Sequence, residues 1–183
     1  RLFRDGVRGE LSDGQLLDRF LAYRDEAAFS ILMERHGPMV LRTCRGVLAN
    51  EQDAQDAFQA TFLVLVRRAY RINRNVSMGP WLFGVCRRVA VRAKADSARR
   101  RLREQRAAEA RSDTIRDNVM DDLCPVLYEE LGRLPDRYRA AVVLCYLEGC
   151  STEEAARRLG CPKGTVLSRL ARARERLRDR LVR

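Results

Sequence analysis

Five polar side chains near the C-terminus, Lys163, Thr165, Ser168, Arg169 and Arg172, recur at spacings that place them on the outward side of a helix. They are hydrogen-bond donors, and such a row suits phosphate oxygens and base edges. From Ala155 to the end there are ten cations against two acids. A second group spans 67–94, where Tyr70, Trp81 and Phe83 are interleaved with Arg71, Arg74, Arg87, Arg88 and Arg92. Aromatic rings that stack on bases, beside cations that follow a backbone, are what holding unpaired DNA requires. Trp81 and Phe83 also sit among Leu82, Val85 and Val89, so a core role for both competes with that reading. A third group is acidic: Glu51, Asp53 and Asp56 crowd the start of one helix, and no acid follows from Ala57 to Ala95. These carboxylates complement the helix dipole or form a docking face, and composition alone leaves both open.

Bond-making chemistry has no comparable support. His36 is the one histidine, no Ser/His/Asp or Cys/His grouping is ordered, no glycine loop cradles a phosphate and no metal ligands cluster. An enzyme is not expected, and neither is a cofactor or a metal. The six cysteines, Cys44, Cys86, Cys124, Cys145, Cys150 and Cys161, fall singly with no C-x-x-C pair and are expected to be buried thiols of a cytosolic protein. No apolar run reaches the ~18 residues of a membrane span and no signal-peptide core opens the chain, so a soluble, cytoplasmic location is expected.

The elements that must position these groups are helices. Leu16, Leu17, Phe20 and Leu21, then Phe29, Leu32 and Met33, recur at helical spacing, and no stretch alternates as a strand would. Helices are expected over about Asp13 to Tyr23, Glu26 to His36, Pro38 to Ala49, Glu51 to Tyr70, and Gly79 into the hundreds. Pro38 would start a helix or kink a longer one. From Asp96 to about Asn118 the chain is rich in Arg, Ala, Glu and Asp and cannot bury a face. The expected fold is therefore all-α: two small helical bundles, 1–95 and 120–183, joined by a flexible linker over 96–119.

The second bundle is the better punctuated. Leu134-Pro135-Asp136 stops one helix and starts the next, which runs to Gly149. Ser151 and Glu154 are placed as a reciprocal capping box for a helix through Ala155, Ala156 and Leu159. Gly160 closes it, and Pro162 suits the first position of a helix through Val166, Leu170, Ala173 and Leu177. Two helices joined by a short glycine turn, the second one Arg-rich outside, make a helix-turn-helix. The 36 Lys plus Arg against 25 Asp plus Glu give a net charge of +11, and nearly all the cations are Arg, whose planar fork fits phosphate. A polyanionic partner follows.

Four segments in order, Asp53-Ala-Gln-Asp-Ala-Phe-Gln-Ala-Thr-Phe62, Pro80-Trp-Leu-Phe, Leu134-Pro-Asp-Arg-Tyr-Arg and Gly160-Cys-Pro-Lys-Gly-Thr-Val-Leu-Ser-Arg169, resemble the extracytoplasmic-function (ECF) sigma factors of bacterial RNA polymerase. The resemblance covers about 11–95 and 121–181. It implies a first bundle that binds the clamp helices of the polymerase beta-prime subunit through Asp53, Asp56, Gln59 and Phe62. Arg71, Asn73, Asn75, Arg87, Arg88 and Arg92 would capture the non-template strand of the −10 promoter element. It implies a second bundle that rests on the beta-subunit flap and reads the −35 element, with Ser168 and Arg172 at bases and Lys163, Thr165 and Arg169 at backbone phosphates. An anti-sigma partner is a further implication. Three departures stand out: Arg88 where many members have Asn, Leu167 where a basic residue is usual, and Ala171 where an aromatic sometimes stands. Both promoter elements are therefore expected to differ from the familiar ones. The rival reading is a free-standing helix-turn-helix regulator that binds duplex DNA without polymerase.

Overall fold

Caps and apolar stripes decide where the helices run. The computed structural model describes residues 11–73, 77–108 and 123–182. Among these are eight α-helices and no strand: α1 (Asp13–Tyr23), α2 (Glu26–Val47), α3 (Glu51–Arg68), α4 (Met78–Ala108), α5 (Leu123–Arg133), α6 (Asp136–Val142), α7 (Thr152–Leu159) and α8 (Lys163–Leu181). The all-α expectation holds. Ser12 opens α1 with a reciprocal box: its Oγ accepts from the Gln15 N–H at 3.2 Å, and Gln15 Oε1 accepts from the Ser12 N–H at 2.8 Å. Asp25 caps α2 through the Ala28 N–H at 3.1 Å, and Asn50 caps α3 through the N–H groups of Gln52 and Asp53.

Several boundaries differ from expectation. Residues 26–47 form one helix, not two, and Pro38 lies inside it. Ile31 and Leu32 before the proline, and Met39 and Val40 after it, are all buried, while Pro38 itself is exposed. The missing hydrogen bond therefore falls on the outer side, and burial of one continuous stripe outweighs it. The Ser151 box is half made: Ser151 Oγ accepts from the Glu154 N–H at 3.1 Å, but the Glu154 carboxylate turns to Arg158 at 2.5 Å. Pro162 is the N-cap of α8, one residue before its helical start. Residues 96–108 continue α4, in keeping with a helix from Gly79 into the hundreds, and 109–122 lie outside the described residues. Cys44 and Cys86 are buried with their sulfurs 3.3 Å apart, but Cys124 is exposed and Cys145, Cys150 and Cys161 are only part-buried. Cys124 falls in the first turn of α5, one turn before the buried Tyr128 and at the end of the packed stripe.

Helices α1–α4 pack around Leu16, Leu17, Leu32, Val40, Leu65, Leu82 and Phe83, all fully buried. Helices α5–α8 pack around Leu134, Tyr138, Leu144, Ala155, Val166, Leu170 and Ala173. Between α6 and α7 the chain winds as a π turn over Val143–Leu147, with the Glu148 N–H donating to the Val143 carbonyl at 2.9 Å. Gly149 then takes φ 73 and releases the chain toward Ser151.

The two bundles meet along a seam that the sequence did not announce. The Tyr128 ring lies over Gly46 and stacks on Phe83 with centroids 6.4 Å apart. At the centre is His36, only 1% exposed. Its Nδ1 is 2.7 Å from Glu148 Oε1 of the second bundle, and its Nε2 is 3.0 Å from Asp13 Oδ2 of α1. Ionised carboxylates only accept, so both ring nitrogens must donate, and His36 is an imidazolium. Burial alone would lower its pKa, but hydrogen bonds and charge from Asp13 and Glu148 prevail and raise it to about 9. Asp13 moves the other way: burial would raise it, and His36 and Arg35 together hold it at about 2.

A raised histidine stabilises the fold fully below its ordinary value near 6.5, and that contribution is lost as the pH climbs through about 9. The melting temperature should therefore fall by roughly 5–10 °C between pH 6.5 and 9.5. His36→Gln should lower it at pH 6.5 and flatten this slope, as followed by circular dichroism.

Candidate nucleic-acid interface

The outward face of α8 depends on a turn built by two residues. Gly160 ends α7 in the left-handed region at φ 60, with its N–H and that of Cys161 returned to the last turn of the helix. Pro162 then supplies the carbonyl that accepts from the Thr165 N–H at 2.9 Å. Ala155, Val166, Leu170 and Ala173 are buried in the joint, which fixes α8 against α7 and turns Lys163, Leu167, Ser168 and Arg172 outward. Thr165 and Arg169 are half-buried at its edge.

Lys163, Ser168, Arg169 and Arg172 each have an internal partner. Lys163 pairs with Glu153 across the turn, and that pairing holds the Glu153 carboxyl at about 2. Ser168 Oγ donates to the Thr165 carbonyl at 3.0 Å, and Arg169 Nη1 leans to Cys161 Sγ at 3.7 Å. Arg172 hydrogen-bonds the Tyr138 hydroxyl and draws that phenol below its usual range. The same ring lies under Arg137 at 4.7 Å and Arg176 at 5.4 Å. Arg174 donates to the Tyr146 hydroxyl at 2.9 Å. Together these tie the far end of α8 to the α6–π segment and leave its first two turns facing out.

On the first bundle the expected strand-binding residues separate. Trp81, Arg88 and Arg92 of α4 line a cleft of about 330 Å³ with Val64 and Arg68 of α3 and with Val85 and Val89. Trp81 is half-buried and packs on the core as well as lining the cleft. Arg87, one residue from Arg88 and about 100° round the helix, turns instead to the seam against Gly132. Burial and the nearby Arg139 charge lower its pKa. Arg71 and Asn73 are exposed beyond the end of α3, and Asn75 lies outside the described residues.

On α3, Asp56 and Gln59 are exposed and Asp53 is half-buried, whereas Phe62 is 4% exposed and packs on Phe58 and Phe29. The ring expected at a docking surface thus anchors α3 in the core. Leu63, which the residue pattern did not single out, is 59% exposed and follows Asp56 and Gln59 at seven and four residues. That spacing alone could have found it. A second groove, about 560 Å³, runs between Asp53 and Asp56 on one wall and Arg99, Arg100 and Arg103 of the α4 extension on the other.

The sequence models of two families fit the chain: sigma-70 region 2 over residues 32–106 and sigma-70 region 4 over 126–177. The ECF RNA polymerase sigma factor SigM of Mycobacterium tuberculosis is 35% identical over 173 residues, covering 94% of this chain and 86% of SigM. The chain belongs to the ECF sigma factors. SigW of Bacillus subtilis is more distant, 25% identical over 173 residues and covering 86% of this chain and 90% of SigW. A similar solved structure is that of CnrH in complex with the cytosolic domain of CnrY, with a TM-score of 0.48, 22% identity and coverage of 92% and 96% of the two chains.

As a sigma factor the protein binds core RNA polymerase and directs it to promoters, and it is not itself an enzyme. The free-standing regulator reading is set aside. Among the described residues of this sigma factor, no group of three or more His, Cys, Asp or Glu could hold a metal, and no helix is long and apolar enough to cross a membrane. Because Gly160 has open space around its Cα, alanine there meets only backbone strain. Gly160→Ala should cost about 1 kcal/mol and weaken duplex binding by the second bundle, measured by thermal melting and by anisotropy on promoter DNA.

Proposed function

We propose that this ECF sigma factor divides its work between residues 1–95, which dock on polymerase and hold the −10 element, and residues 120–183, which read the −35 element, with 96–119 joining them. The observation that carries this assignment is the pairing of two exposed basic surfaces: the Trp81–Arg88–Arg92 cleft of α4 and the outward face of α8. A cleft with an aromatic wall and cations at its rim suits a base taken out of the stack, with Arg68, Arg88 and Arg92 beside the strand. Arg71 and Asn73 extend that surface along the chain, Asn75 is assigned to the same strand by the resemblance alone, and Arg87 joins it only if the seam parts. On α8, Ser168 and Arg172 are assigned to base edges and Lys163, Thr165 and Arg169 to phosphates. Leu167, 49% exposed between them, offers only apolar contact, for example to a thymine methyl.

Polymerase docking is assigned to the exposed strip of α3, with Asp53, Asp56 and Gln59 facing the beta-prime clamp helices and Leu63 adding the apolar contact. Phe62 supports that strip from beneath. The beta flap is assigned to the second bundle, an anti-sigma factor is the expected inhibitor, and the site of action is the cytoplasm, where the polymerase works.

The decisive test is to mix the purified chain with bacterial core polymerase and follow complex formation by gel filtration and start sites by run-off transcription. A stoichiometric complex with defined starts is expected; specific duplex binding by the chain alone, without complex formation, would return the free-standing regulator. Asp56→Arg and Leu63→Glu should each lower core affinity more than tenfold while moving the melting temperature little, because both side chains are exposed. Arg172→Ala should lose about 1–3 kcal/mol of −35 selectivity, whereas Arg169→Ala should weaken binding to all sequences and reduce the salt slope by about one, both read from salt titrations.

A further inference from the structure

Helix α4 runs on well past the core it packs against. Its last fully buried residue is Ala90, and from Lys94 to Arg103 no described side chain is buried. From Arg88 to Arg103 there are seven Arg or Lys against one acid, Asp96. Local interactions give little reason for such a helix. Arg88 and Arg92, and again Arg99 and Arg103, are like charges four residues apart, a spacing that disfavours helix. Asp96 lies 3.9 Å from Arg92 and 3.5 Å from Arg99, but all three side chains are more than half exposed, and exposed pairs of this kind contribute little. The helix dipole does not account for the arginines either, because Arg103 is more than a turn before the end of α4 at Ala108 and Arg99 more than two.

What these arginines share is direction. At about 100° per residue, Trp81, Arg88, Arg92, Arg99 and Arg103 all fall within about 60° of one another round α4. The row therefore continues one side of the cleft that Trp81, Arg88 and Arg92 line, and it ends at Arg99 and Arg103 on the basic wall of the groove opposite Asp53 and Asp56. At about 1.5 Å per residue, Arg92 and Arg103 are roughly 16 Å apart along the helix, the length of about five base-pair steps of duplex at about 3.4 Å each.

We propose that Arg99 and Arg103 hold backbone phosphates of double-stranded DNA over about the first five base pairs upstream of the −10 element, so that α4 grips the promoter on both sides of the point where its strands separate. This rests on the assignment of the Trp81 cleft to the −10 strand. The upstream direction follows from the chain, since the C-terminal end of α4 leads to the second bundle, which is assigned to the −35 element. The contact is to phosphate and carries no base preference of its own. A polyanion along the row also relieves the repulsion between Arg99 and Arg103, which the helix otherwise bears in water.

The test uses the holoenzyme and two DNA probes from a promoter mapped by run-off transcription: the −10 non-template strand alone, and the same strand joined to the duplex upstream of it. Arg99→Ala combined with Arg103→Ala keeps α4 helical, because both side chains are exposed and alanine favours the helix. On the joined probe this double variant should bind about three- to tenfold more weakly, and the slope of log affinity against log salt should fall by about two, at roughly 0.9 per phosphate. Methylphosphonates in place of the upstream phosphates should weaken wild type in the same way and leave the double variant unmoved. Arg99→Lys should keep most of the binding, since a phosphate contact needs the charge more than the fork. No loss on the joined probe, an equal loss on both probes, or a loss that appears instead in affinity for core polymerase would each overturn the proposal. The cleft assignment is read separately on the strand-only probe, where Arg88→Ala must weaken binding; if it does not, that assignment falls, while the upstream phosphates still report on Arg99 and Arg103.

Discussion

A charge taken out of water must be met by opposite charge, and in this protein that requirement is concentrated at His36. The ring is almost wholly buried, and its two nitrogens are satisfied by carboxylates from two directions. An unpaired ion at that depth would cost several kcal/mol, so the positions of Asp13 and Glu148 are not free. Asp13 sits in the first turn of α1, which the Ser12 cap starts at the right residue, and Arg35 steers the same carboxylate from α2. Glu148 follows the π turn, and Arg158 of α7 holds its second oxygen. One buried cation thereby fixes the seating of α1 on α2 and the approach of the second bundle.

The functional surfaces are the reverse sides of the same core helices. On α3, Phe62 points in and Leu63 points out, one residue apart and about 100° round the helix. On α4, Phe83 and Cys86 are buried in the core while Trp81, Val85, Arg88, Val89 and Arg92 line the cleft. A rigid core thus sets the spacing of the exposed groups with the precision of a packed helix rather than a loop. On α8, the buried line of Val166, Leu170 and Ala173 does the same for the outward donors.

Local features were legible in the sequence and non-local ones were not. The start and stop of α1, the break at Leu134-Pro135, the turn at Gly160 and the basic face of α8 are each signalled within a few residues by caps, prolines and periodicity. At Pro38 a helix start and a kink in one longer helix both stayed open, because a proline's local effect is plain, whereas the buried stripe that decides for the longer helix is a property of the whole bundle. Phe62 and Leu63 are both apolar in adjacent positions, and only packing against Phe29 and Phe58 decides which one is inside. His36 and Glu148 are 112 residues apart, and one sequence carries no mark of their pairing. The seam glycines were equally silent, since Gly46 within a helix reads as a weakness until the ring of Tyr128 is seen over it.

The π turn at Val143–Leu147 fits one more residue into its winding than an α-helix would. Everything after it is advanced by one position, which on a helix is about 100° of phase. Removing a single residue from this stretch would restore ordinary winding and swing the position of Glu148 away from His36, with every side chain in the region kept chemically intact. The meeting of the two halves is thus recorded in chain length as much as in residue type. Relatives that match this chain closely in side-chain chemistry, but lack that one extra residue, would have no means of making the same closure.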